Sequence, residues 1–174
     1  MGAAFSCAIK PGAGLLPGQT PKPGRIVASI AEIESATGLA MSQSVDISMI
    51  GGITQCRYQV GQGGQLDITI LNDPSKATTE LASTQSKGLS LHDRGCNGCT
   101  LTKVTAVSEL GPSGYRGDSG NGPVFGSISG GVYFEVEGFA LKDARVERVA
   151  LVIAGNLSGA TPSLPPLPTA TPAM

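Results

Sequence analysis

Two stretches of this 174-residue chain carry the same order of signals, and that order constrains the fold more than any other feature. In the first, Thr54, Cys56, Tyr58 and Val60 alternate with Gln55, Arg57 and Gln59, and Leu66, Ile68 and Ile70 alternate with Asp67 and Thr69. A period of two is that of a strand with one apolar face. The Gly-rich segment 61–64 between them supplies the positive-φ positions of a tight turn, so the pair reads as an antiparallel hairpin. Asp73 and Pro74 then open a helix through Ala77, Leu81 and Ala82 to Gly88. In the second stretch, strands over 124–129 and 132–137 flank Gly130 and Gly131, with Val132, Phe134 and Val136 on one side and Tyr133, Glu135 and Glu137 on the other. Val146, Val149, Ala150, Ile153 and Leu157 follow at helical spacing. The reading is an α+β fold, an antiparallel sheet with helices on one face, and the shared order of strand, turn, strand, acidic cap and helix suggests two ββα repeats.

The ends of the chain differ from this middle. Residues 1–24 are Pro- and Gly-rich and read as a linker, and residues 158–174 read as a disordered Pro-rich tail, which leaves 25–157 as the single α+β domain. The domain opens with Ser29-Ile-Ala-Glu32, a capping box for a short helix that Gly38 ends. Residues 101–110 supply a further strand. Lys+Arg 12 against Asp+Glu 13 gives a formal net charge of -1 with no basic run, which argues against nucleic acid as a partner. No apolar stretch is long enough to span a bilayer, so membrane association is expected only through a lipid anchor.

Cys7, preceded by small residues and followed by the linker, resembles the end of a bacterial lipoprotein signal and is a lipidation candidate; the alternative is that Cys7 pairs with another cysteine. Several short motifs extend this likeness: the Cys7 linker start, Ser29-Ile-Ala-Glu32, Cys56-Arg-Tyr58, Leu110-Gly-Pro-Ser-Gly-Tyr115 and Gly130-Gly-Val-Tyr-Phe134. Together they resemble exported actinobacterial-type lipoprotein domains, mostly of unknown function, and more loosely the extracellular sensor domains of mycobacterial kinases. The resemblance implies an exported domain, extracellular or anchored at the bacterial cell envelope, with an α+β organisation and no catalytic residues to carry over.

Few residues are candidates for chemistry. His92, Cys96 and Cys99 lie within one Gly-containing segment, where zinc would need a fourth ligand; a local disulfide between Cys96 and Cys99 is the preferred reading. Arg116-Gly-Asp118 matches the tripeptide of integrin ligands and reads as an exposed polar turn. With a single His and no nucleophile elbow, nucleotide fingerprint or metal signature beyond 92–99, no enzyme and no cofactor are expected. The outward sheet face remains: Arg57, Gln59, Asp67, Thr69, Tyr133, Glu135 and Glu137 form either a solvated surface or a possible binding face. The functional expectation is a non-enzymatic binding or sensor-type domain of unknown ligand or protein partner. Its rivals are a structural or adhesion protein of the cell surface and, third, a zinc-binding protein using 92–99.

Overall fold

The structure is a computed structural model that describes residues 7–9, 25–48, 53–91 and 100–168. Among these, β1 (Cys7–Ile9) and β2 (Arg25–Ala28) form a two-stranded antiparallel ribbon. A second, seven-stranded sheet is antiparallel throughout. It is built from β3 (Met41–Ser48), β4 (Ile53–Val60), β5 (Gly64–Leu71), β6 (Thr102–Ala106), β7 (Tyr115–Asp118), β8 (Pro123–Ser129) and β9 (Val132–Phe139), in the order β3-β4-β5-β9-β8-β7-β6. Among the described residues three α-helices, α1 (Ile30–Thr37), α2 (Pro74–Lys87) and α3 (Asp143–Ser158), join this sheet, and the fold is α+β as the periodicities imply.

Both hairpins form where the alternation places them. The local punctuation holds as well. Ser29 and Glu32 make a reciprocal capping box on α1, Asp73 caps α2 through the Ser75 N–H, and Gly38 and Gly88 end their helices at φ of 66° and 68°. The acidic cap expected at α3 does not form. Lys142 occupies the capping position with no side-chain bond, and Asp143 is the first helical residue.

The six strand residues expected to share the apolar side, Leu66, Ile68, Ile70, Val132, Phe134 and Val136, are all buried in one core with Ile33, Ala36, Val146, Val149 and Ile153. Thus α1 and α3 cover this face. The expectation of helices on one face alone is corrected by α2, whose Ala77 and Leu81 pack with Ile53, Leu71 and Tyr133 in a second core on the opposite face. The ββα repeat is therefore one of sequence order and not of geometry. A two-fold axis relating the antiparallel neighbours β5 and β9 would have to stand perpendicular to the sheet and would put α2 and α3 on the same side.

Neither end behaves as a free linker where it is described. Cys7 is disulfide-bonded to Cys56 on β4, with Cα atoms 5.7 Å apart, which staples the β1–β2 ribbon to the main sheet. A sulfur engaged in a disulfide is not open to thioether lipidation, so of the two alternatives for Cys7 the structure holds the pairing one. The tail expected to be disordered packs along α3 as far as Pro165. Pro162 lies over Gly155, where an added Cβ would fall 2.8 Å from the proline Cδ, and Pro165 O accepts from the buried Arg148 guanidinium. From 148 to 155 an α-helix rises about 10 Å, and an extended polyproline-type chain advances about 9 Å from 162 to 165. The two repeats keep step. Leu164 joins the first core as a result.

Candidate functional site

The polar side of the sheet is a set of rows fixed by strand register. Arg57 on β4 faces Asp67 on β5, Asp67 faces Glu137 on β9, and Glu137 faces Val124 on β8. One step along the strands, Gln55, Thr69, Glu135 and Gly126 form the next row, and Tyr115 on β7 faces Gly126. A third row runs through Ile53, Leu71, Tyr133 and Ile128. The alternation seen in sequence thus does bring Arg57, Gln59, Asp67, Thr69, Tyr133, Glu135 and Glu137 to one face. The expectation that this face is solvated is corrected, because Asp67, Thr69, Tyr133, Glu135 and Glu137 are all buried.

Glu135, 1 % exposed, is the centre of the buried part. Its Oε1 accepts from the Tyr115 hydroxyl at 2.5 Å and the Tyr133 hydroxyl at 2.8 Å, and its Oε2 accepts from Ser90 Oγ at 2.8 Å. Each phenol has one proton to give, so with both protons on Glu135 the 2.9 Å approach of the two hydroxyl oxygens follows from their shared acceptor. Thr84 Oγ1, reaching in from α2, lies 2.8 Å from the Tyr133 oxygen and donates to Leu89 O. Burial, and then the neighbouring Glu135 charge, push both phenols above their ordinary value. Gly126 makes the arrangement possible. A Cβ there would stand 2.5–2.7 Å from the hydroxyl oxygen and two ring carbons of Tyr115, which lies across that strand position.

Toward the other end of the strands the face opens. Arg57 donates from Nε and Nη2 to the two oxygens of Asp67 at 2.8 and 2.9 Å, a bidentate fork, and Gln65 adds a third donor at 3.1 Å. That hydrogen bond, with the charges of Asp67 and Glu137, raises the Arg57 pKa against the opposing effect of burial. Ser119, in the β7–β8 turn, donates to Glu137 Oε1 at 2.5 Å. Arg57, Gln65, Asp67 and Glu137, together with Asn121 and Phe139, line a cleft of about 110 Å³. Arg57 is 36 % exposed and Phe139 49 % exposed, so both stand at its mouth.

Comparison with family models, curated proteins and solved structures finds no match. The site therefore rests on its own geometry.

The remaining sequence candidates fall elsewhere. His92, Cys96 and Cys99 lie outside the described residues. Arg116-Gly-Asp118 is not a loop but most of strand β7: Arg116 is held by Asp143 through Nε at 2.7 Å, and Asp118 Oδ1 accepts from the Gly120 N–H. The sequence assigned no role at this face to Ser119, Asn121, Tyr115, Thr84 or Ser90. Only Tyr115 carried a signal, since Tyr115 and Gly117 alternate with Arg116 and Asp118 in a strand-like way.

Proposed function

We propose that the chain is a non-enzymatic binding or sensor-type domain that works outside the cytoplasm, with the cleft at Arg57, Asp67 and Glu137 as its ligand contact. The observation that carries this reading is the burial of two carboxylates, on paired positions of adjacent central strands, beside a half-exposed arginine. Buried ionic groups cost several kcal/mol each to desolvate, and an apolar trio of similar volume would stabilise a sheet at least as well. Such an arrangement at the mouth of a cleft is better explained by recognition than by stability. The small volume and the mixture of donors and acceptors suit a compact hydrogen-bonding group, a single ring or an amino-acid head. The Cys7–Cys56 disulfide supports an oxidising compartment, and no described helix is long and apolar enough to cross a membrane.

Titration with a panel of free amino acids and monosaccharides, followed by amide chemical shifts, tests the reading. Shifts centred on Arg57, Asp67, Asn121 and Glu137 that Arg57→Ala removes are expected. If every probe leaves these amides unmoved, or the shifts persist in Arg57→Ala, the cleft is not the contact.

A structural or interaction role for the cell surface is the rival. It draws on Phe139 and Leu89, apolar side chains about half exposed, and it predicts no small-molecule response at the cleft. The zinc reading rests on residues 92–99 and predicts stoichiometric metal in the purified protein.

A further inference from the structure

A second concavity lies on the far side of the fold from the polar cleft. The α3 residues Leu151, Ala154, Gly155 and Ser158 form one stripe, and opposite them stand the 3-10 turn over Ser108–Leu110 with Pro112 and the end of β8 at Ile128. The tail over 160–163 closes the third side, seated against Gly155 because that position has no Cβ. The space between is about 520 Å³, in the range of sites for drug-sized molecules, and its walls are mainly Leu110, Pro112, Ile128, Leu151 and Ala154.

One end of this groove is acidic. Glu109 lines it, and Glu147 sits one helical turn before Leu151 on the same face of α3. The 3-10 turn packs against α3, so Glu109 on the turn and Glu147 on the helix stand on neighbouring walls; burial first, and then the charges of Glu109 and Asp143, raise the Glu147 pKa. Among the described residues, Asp143 is engaged by Arg116, while neither Glu109 nor Glu147 has a lysine or arginine within ion-pairing distance. An apolar trough that ends in two carboxylates is complementary to a molecule with an aliphatic body and a positive head.

We propose that this groove binds a small amphiphilic cation, an aliphatic chain bearing an ammonium group, with the chain along Leu110, Pro112, Ile128 and Leu151 and the ammonium at Glu109 and Glu147. The reading is independent of the polar cleft. The ammonium relieves the repulsion between the carboxylates, and the chain removes exposed apolar wall from water.

The test is calorimetric titration of the folded protein with octylammonium, octanoate and octanol, three probes that share a chain and differ in charge. Octylammonium is expected to bind, the other two to bind at least tenfold more weakly, and the Glu109→Gln/Glu147→Gln double variant to lose that preference. Ala154→Phe, which fills the groove, is expected to abolish binding; should it fail to fold, the double glutamine variant still decides, since Glu109 is exposed and Glu147 only partly buried. Equal binding of octanoate or octanol, an unchanged affinity in the double variant, or no heat from octylammonium overturns the proposal. So does a dimer in sedimentation that Ala154→Phe dissociates, because the groove is then occupied by a second copy of the chain.

Discussion

The Tyr115 hydroxyl meets Glu135 Oε1 at 2.5 Å only because Gly126, on the strand between them, has no side chain. A phenol from β7 thereby spans β8 to reach a carboxylate on β9, and the buried acid is satisfied from a distance that strand pairing alone would not allow. Gly126→Ala is expected to destabilise the fold by roughly 1–3 kcal/mol through the clash with the ring, and Tyr115→Phe by about 1–3 kcal/mol by taking a donor from a buried carboxylate. Denaturant midpoints check both. Wild-type stability in either variant would mean that the ring does not lie across the strand.

The two faces of β9 are expected to respond alike to truncation. Phe134 packs in the α1/α3 core and Tyr133 in the α2 core, both fully buried, so Phe134→Ala and Tyr133→Ala should each cost about 3–5 kcal/mol. Chemical denaturation of the pair measures this, and a Tyr133→Ala loss under about 1 kcal/mol would return Tyr133 to the solvent.

Two glutamates should tilt the pH dependence of stability in opposite directions. The Ser29 backbone N–H holds Glu32 below its ordinary value, so its contribution is present above about pH 4.5 and is lost as the pH falls through the depressed native value. Glu147 is raised by burial and by Glu109, so its ionised form opposes folding at neutral pH and ceases to do so once both states are protonated. Glu147→Gln is therefore expected to raise the melting temperature at pH 7 and not at pH 3, and Glu32→Gln to lower it more at pH 7 than at pH 3. Thermal melts at the two values decide it; a shift of either variant that is equal at both pH values rejects the assignment.

Reduction of the Cys7–Cys56 bond opens a loop of 49 residues. Its loss, by reductant or in Cys7→Ser/Cys56→Ser, is expected to cost about 2–4 kcal/mol and to release the β1–β2 ribbon before the main sheet. Hydrogen exchange that rises equally everywhere would contradict the staple.

The tail is expected to contribute to stability despite its composition. Ending the chain at Gly159 uncovers Gly155 and the Arg148 guanidinium and should cost roughly 1–3 kcal/mol, with Gly155→Ala loosening the same segment. Limited proteolysis of the tail in Gly155→Ala against wild type reads this; equal resistance would show that the tail does not rest on that helix.

The hairpins, the caps of α1 and α2 and the sorting of side chains to two sheet faces were legible in the chain, because each depends on neighbours within a few residues. Leu66, Ile68 and Ile70 need one apolar side whatever lies beyond it, and Ser29 and Glu32 cap a helix by themselves. The choice of what covers each face is not local. Asp67 and Glu135 look like solvent-facing residues in sequence, since alternation with apolar neighbours is the same whether water or another helix lies above them. Only the tertiary structure brings Arg57 from the next strand to the first and Tyr115, Tyr133 and Ser90 to the second, and only there does α2 turn to the opposite side from α3. The tail shows the same division: prolines fix an extended chain, but the groove along α3 that receives it exists because Gly155 and Arg148, seven residues apart on one helix, meet a chain whose extension matches the helical rise.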